Sequence, residues 1–180
     1  MGKLFVISGS SGVGKGTVIK EFLNKHPEFK LSVSCTTRNP RAGEVDGVNY
    51  FFLEKEEFLK CVEANEFLEW AEFSGNMYGT KKEYVERKLR EGKNLILEID
   101  TQGALRVKQI MPEAKLIFIL PPSFEELEAR LRGRHTETEE AIQKRLDTVK
   151  LELERSERFD YKVINDSIEN AIQELEKIMI

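Results

Sequence analysis

The stretch Leu4-Phe5-Val6-Ile7-Ser8-Gly9-Ser10-Ser11-Gly12-Val13-Gly14-Lys15-Gly16-Thr17 decides how the rest of the chain is read. Its apolar start predicts a buried strand, and the periodic residues Val18, Ile19, Phe22 and Leu23 that follow predict a helix. Strand, glycine-rich turn and helix is the context in which Gly-x4-Gly-Lys becomes a phosphate-binding loop rather than an ordinary glycine turn. Glycines let successive backbone N–H groups turn inward, the helix start adds partial positive charge, and Lys15 supplies a full one. Gly9, Ser10, Ser11, Gly12, Val13, Gly14, Lys15, Gly16 and Thr17 are therefore the candidate residues for a nucleoside triphosphate. The usual hydroxyl residue after the lysine is missing: Gly16 stands there, with Thr17 one step on.

Outward from this loop, apolar strands and amphipathic helices alternate, which predicts a parallel sheet covered on both faces. Strands are expected at Leu31–Cys35, 48–53, 67–73, Leu95–Asp100, Leu116–Leu120 and Tyr161–Ile164. Phe58, Leu59 and Val62 predict one helix face, and Thr80-Lys81-Lys82-Glu83 has capping-box spacing for a helix ending near Gly92. Another helix follows Asp100, Ser123 caps the next, and a charged helix is expected from Thr136 to about Phe159. Ile168, Ala171, Ile172, Leu175 and Ile178 form the inward stripe of the last one. The block at about 34–80 breaks the alternation and predicts an antiparallel insert.

A chain of 180 residues with 40% hydrophobic and 33% charged residues suits one globular domain. No run approaches the ~18 apolar residues of a membrane span, and the N-terminus lacks a secretory pattern. Cys35 and Cys61 are too few for a disulfide framework and lack metal spacing, so both are expected to be ordinary thiols of a cytoplasmic protein. The net charge of −4 argues against a general nucleic-acid binder. It is unevenly spread, however, at +3 over residues 1–53 and −7 over the rest, so anions are expected near the front.

The polar loop Thr36-Thr37-Arg38-Asn39-Pro40-Arg41-Ala42-Gly43-Glu44 lies in that front third. Two arginines three residues apart, with the Tyr50 and Tyr78 hydroxyls available, suit a phosphate dianion; two solvated surface arginines are the alternative. With Phe67-Leu68-Glu69-Trp70-Ala71, Gly75-Asn76-Met77-Tyr78-Gly79-Thr80, Glu98-Ile99-Asp100-Thr101-Gln102-Gly103 and Gly133-Arg134-His135-Thr136-Glu137-Thr138, the chain resembles the guanylate kinase family over essentially its whole length.

The resemblance implies an α/β fold of the P-loop NTPase type: a core of 1–33, 81–125 and 160–180, a mixed or antiparallel GMP-binding insert at about 34–80, and a helical lid at about 126–159. It implies phosphorylation of GMP to GDP by ATP with Mg2+, by a monomer or homodimer that binds neither nucleic acid nor membrane. Carried over by position, Arg38, Arg41, Tyr50 and Tyr78 hold the GMP phosphate, and Ser34, Glu69 and Thr80 read the base. Glu44, Gly79 and Asp100 line the same site. A carboxylate at Glu69 accepts both guanine donors, N1–H and the exocyclic amine, whereas adenine presents a lone pair there. Lys15, Arg41, Arg134 and Arg145 are the expected catalytic residues, the last two from the lid; Arg130 and Arg132 in the preceding helix compete with a solvated-face reading, and His135 is read as incidental. Arg134 and Asn165 join the ATP set, and Thr17 and Asp100 are the expected magnesium residues, mostly through water. A module of this fold that has lost catalysis to bind protein partners is the rival reading; Lys15 together with the arginines argues against it.

Overall fold

In the computed structural model, which describes residues 1–180, the apolar run becomes strand β1 (Leu4–Gly9) and the loop after it leads into helix α1 (Lys15–Lys25). The chain continues through β2 (Phe29–Leu31), β3 (Cys35–Thr36), β4 (Phe51–Phe52), α2 (Lys55–Glu63), β5 (Phe67–Phe73) and β6 (Asn76–Lys81). Then come α3 (Lys82–Arg90), β7 (Asn94–Glu98), α4 (Thr101–Ile110), β8 (Lys115–Leu120), α5 (Phe124–Gly133), α6 (Glu139–Ser156), β9 (Tyr161–Ile164) and α7 (Ile168–Met179).

Five strands form a parallel sheet in the order β2-β7-β1-β8-β9, with Val6 opposite Leu97 on one side and Leu116 on the other. Alternation along β1 sends Phe5 and Ile7 to the layer containing Val18, Ile19 and Phe22 of α1 and Ala171, Ile172 and Leu175 of α7. It sends Leu4 and Val6 to the layer containing Val85 and Leu89 of α3 and Ala104 and Val107 of α4. Both faces are thus buried at the centre of the sheet, which is why β1, β7 and β8 carry unbroken apolar runs. No helix is long and apolar enough to cross a membrane.

A second, mixed sheet has the order β4-β3-β6-β5, with β3 and β4 parallel and the other pairs antiparallel. Its outer face covers Cys35, Phe58, Phe67 and Met77. Helices α5 and α6 pack on each other through Leu127, Leu131, Ile142, Leu146 and Val149. Cys35 and Cys61 are both free thiols, and burial pushes Cys35 up to about 11.

Several expectations change. The single strand at Leu31–Cys35 is two strands in different sheets, because Ser32–Ser34 carries the chain from one sheet to the other. Only Phe51–Phe52 of 48–53 pairs as strand: the Asn49 and Asp46 side chains accept the Val45 and Phe52 N–H groups and hold the preceding segment in a turn. Thr80 does not cap α3; it belongs to β6, and Lys81 occupies the cap without a side-chain hydrogen bond. The charged helix α6 begins at Glu139, where Thr138 accepts from the Ala141 N–H. Leu59 and Ile168 are also 39% and 40% exposed, at the edges of stripes whose centres are buried.

Candidate functional site

The phosphate loop is shaped by two residues in the left-handed region, Gly12 at φ 80° and Gly14 at φ 83°. A side chain at either would be strained. Gly14 is the helix cap of α1 and offers no side-chain acceptor, so the first N–H groups of the helix stay free for an anion. Ser8 and Ser10 have buried hydroxyls with no partner in the protein. Asn165, at the end of β9, donates its amide to the Val13 carbonyl at 2.7 Å. That amide braces the loop after β1.

The helices α5 and α6 overhang this loop. Arg145 donates to the Ser11 hydroxyl at 3.1 Å and pairs with Glu137. Arg134 is exposed and lines a cavity of about 300 Å³ with Gly12, Leu127, Arg130, Leu131 and Gly133. Arg130 therefore reaches the cavity wall although it also pairs with Glu126 one turn back at 2.7 Å. His135 has a positive φ of 50° and is exposed, marking the turn between the two helices.

Glu98, at the end of β7, is a residue that the sequence reading did not assign. A Cβ built on Gly16 would lie 3.7 Å from its Oε1, so the missing hydroxyl of the loop faces a carboxylate instead. The signal was available: Glu98 closes the strand that pairs with β1, next to the loop. Glu98 lies beside Gly16, and no group of three or more His, Cys, Asp or Glu is placed to hold a metal ion. Hard oxygen donors of this kind fit a cation that retains most of its waters, as magnesium does.

On the inner face of the second sheet, Arg38 gives two parallel hydrogen bonds to Glu44, at 2.8 and 3.0 Å, and sits over the Tyr50 ring at 5.3 Å. Tyr50 in turn meets Tyr78 edge-on at 6.0 Å. Glu44 also accepts the Arg41 N–H at 2.7 Å, which fixes the loop between them. The Arg38 hydrogen bonds and that N–H hold the Glu44 carboxyl well below the usual carboxylate range. Arg38 is thus a positioned group and not a solvated one, whereas the Arg41 side chain is exposed. Ser34 lines a separate cavity of about 120 Å³ with Ser32, Asn49, Tyr50 and Glu98.

Glu69 is 7% exposed, and Thr80 donates its hydroxyl to Oε1 at 2.8 Å. That contact is the physical reason Thr80 is unavailable as a cap. Burial pushes the Glu69 carboxyl up to about 7; the Thr80 hydrogen bond opposes the rise, Asp100 adds to it, and Arg106 opposes it. The other oxygen faces the start of α4. There Asp100 accepts the Gly103 N–H at 2.7 Å, and a Cβ on Gly103 would meet Asp100 Oδ1 at 2.9 Å and Glu69 Oε2 at 3.1 Å. Gly103 is therefore a second residue that the sequence reading left unassigned. Gly79 has a different role from the others: its missing Cβ makes room for Phe67 and Trp70, 3.0 and 3.1 Å away, on the outer side of the sheet.

The guanylate kinase family model matches residues 1–180. The guanylate kinase of Synechococcus sp. (strain JA-3-3Ab) is 50% identical over 178 residues, covering 99% of this chain and 82% of that protein. The guanylate kinase of Caldanaerobacter subterraneus subsp. tengcongensis is 51% identical over 179 residues, covering 99% and 87%. A crystal structure of guanylate kinase from Anaplasma phagocytophilum superposes with a TM-score of 0.74 at 33% identity, covering 98% of this chain and 84% of that one.

Proposed function

The chain belongs to the guanylate kinase family and phosphorylates GMP to GDP with ATP, and we propose that it does so by aligning two anions held in cradles on either side of Asp100. The observation that carries this reading is the buried Glu69–Thr80 pair, a carboxyl group whose second oxygen no protein donor takes, which suits a ligand with adjacent donors. Guanine has that edge.

The triphosphate lies along residues 9–17, with its base toward the cavity bounded by Gly12, Arg130 and Arg134. Lys15 and Arg145 meet the phosphates, and Arg134 joins them as the lid, residues 126–159, closes. Arg38, Arg41, Tyr50 and Tyr78 hold the GMP phosphate, with Glu44 as the brace that sets Arg38 and the loop. Ser34, Glu69 and Thr80 read guanine on the insert, residues 34–80, and the core of 1–33, 81–125 and 160–180 carries both. Thr17, Glu98 and Asp100 would hold magnesium, which supplies neutralisation of phosphate charge. The attacking oxygen of GMP is already ionised, so no general base is required; the protein's task is alignment and relief of repulsion between anions. Each group named here comes from one chain, and we place the reaction in the cytoplasm.

Proton linkage tests the Glu69 assignment. GMP needs the ionised carboxylate, and the free protein protonates it as pH falls through about 7. The KM for GMP should therefore climb below neutrality, approaching about tenfold per pH unit once the acid form dominates, with the KM for ATP nearly flat. In Glu69→Gln the steep part should vanish, leaving only the shallow contribution of the phosphate's own ionisation near 6. A parent and variant with the same GMP profile would contradict the assignment.

Gly103→Ala tests the geometry independently. The new methyl must shift Asp100 Oδ1, at 2.9 Å, and crowds Glu69 Oε2, at 3.1 Å. The KM for GMP should rise roughly tenfold, the effect of about 1.4 kcal/mol of misplacement, with a far smaller change for ATP.

A further inference from the structure

The turn that joins α5 to α6 carries a carboxylate that the reaction as derived leaves without a task. Glu137 lies just outside α6, next to Thr138, whose hydroxyl accepts the Ala141 N–H and so fixes the start of the helix. Arg145 stands almost two turns into α6, roughly 9 Å along its axis from Glu139. Side chains on a helix lean back toward its N-terminus, and a long one spans that distance. The Arg145 guanidinium accordingly returns to the turn, where its Nη1 donates to Glu137 Oε1, while Nη2 donates to the Ser11 hydroxyl of the phosphate loop at 3.1 Å.

The neighbouring lid carboxylates have other partners. Arg130 takes Glu126, Arg132 takes both Glu128 and Glu139, and Lys144 faces Glu140. Glu137 bonds to Arg145 alone. The two side chains are 29% and 32% exposed, so the pair adds little to the stability of the fold. Its effect is on orientation. A guanidinium has five N–H groups in a rigid plane, and two contacts on different nitrogens fix that plane while leaving the other N–H groups free for phosphate oxygens. Order imposed before the nucleotide arrives does not have to be imposed in the transition state.

We propose that Glu137 is a positioning residue for Arg145: it holds one side of the guanidinium so that the other side faces the phosphate loop. Glu137 touches no substrate and acts through the arginine alone. The inference rests on the reading of residues 9–17 as the ATP site.

A double-mutant cycle in steady-state kinetics, with thermal melting of each variant, tests it. Glu137→Ala should lower kcat roughly 10- to 30-fold, with the KM for GMP changed less than about twofold. Its melting temperature should stay within about 2 °C of the parent, since an exposed pair contributes little. In an Arg145→Ala background, the same substitution should lower kcat by less than about twofold further, because the group it serves is gone. An equal fractional loss in both backgrounds would overturn the proposal, as would an unchanged kcat in the single variant. A raised kcat would also overturn it, since the carboxylate would then be restraining the arginine. So would a lower melting temperature with parallel rises in both KM values, the signature of a merely structural pair. If the alanine variant does not fold, Glu137→Gln enters the same cycle with the same criteria for coupling. A parent protein that fails to turn over ATP with GMP would instead refute the functional reading, so the two failures are separable.

Discussion

Lys15→Ala is expected to lower kcat by at least ~10³-fold while GMP affinity stays within about twofold of the parent. Lys15 opens α1 where two left-handed glycines aim the backbone N–H groups at the same point, so it is the one full charge built into the loop. A factor of 10³ corresponds to about 4 kcal/mol of transition-state stabilisation, in the range that removing a preorganised charge or donor costs in a closed site. Arg145 cannot replace it, because Arg145 comes from α6 and is held by Glu137 and Ser11. The folded state should be little affected, since the side chain fills no core. Steady-state kinetics with GMP binding by calorimetry separates the two quantities. Equal loss of GMP affinity would mean that the lysine serves the acceptor cradle.

Glu69→Gln should reduce kcat/KM for GMP by roughly 10²–10³ with the KM for ATP unchanged. The substitution keeps volume and the carbonyl that accepts from Thr80, so the strand pairing survives. What changes is the second position: an amide NH2 now confronts a guanine donor, and two buried donors face each other without an acceptor. Each such unpaired group costs about 1–3 kcal/mol. Stability should move the other way. Burial raises the folded-state pKa of Glu69 from 4.5 to about 7, so ionising it costs stability as pH rises through that window. At pH 8 the glutamine variant should melt no lower than the parent. A large drop in melting temperature would mean that the carboxylate is structural rather than a reader of the base.

The fold was legible where burial dictates pattern. β1 and β8 carry apolar runs that no helix of this length would show, and α7 keeps its stripe through Ala171, Ile172 and Leu175. Legibility failed where one residue type serves two purposes. Thr80 followed by Glu83 has the spacing of a cap, yet the hydroxyl is taken by Glu69, eleven residues away in sequence and across a hairpin. Spacing along a chain cannot display such a partner. The break at Ser32–Ser34 likewise comes from having two sheets to serve, and two serines flanking Val33 were its only local trace.

The site shows the same division. Its phosphate loop could be read from local chemistry, because glycines and a lysine at fixed offsets need only each other. Arg38 and Glu44 lie six apart, and their two-point contact follows once the intervening turn is known. Glu98 could have been read from its place at the end of the strand beside the loop, whereas Gly103 required three dimensions, because it matters through β5, an element distant in sequence. Asn165 was placed in the ATP set on resemblance, and its contact with Val13 gives it a brace's task there.

The most direct test offers the purified protein ATP and magnesium with GMP, AMP, CMP and UMP in turn, and follows ADP release. GMP should support turnover at a kcat/KM at least ~10³-fold above AMP, and Glu69→Gln should shrink that ratio mainly by lowering the GMP value. Comparable rates with AMP, or ADP release that ignores the acceptor altogether, would contradict a guanine-reading cradle facing a triphosphate loop.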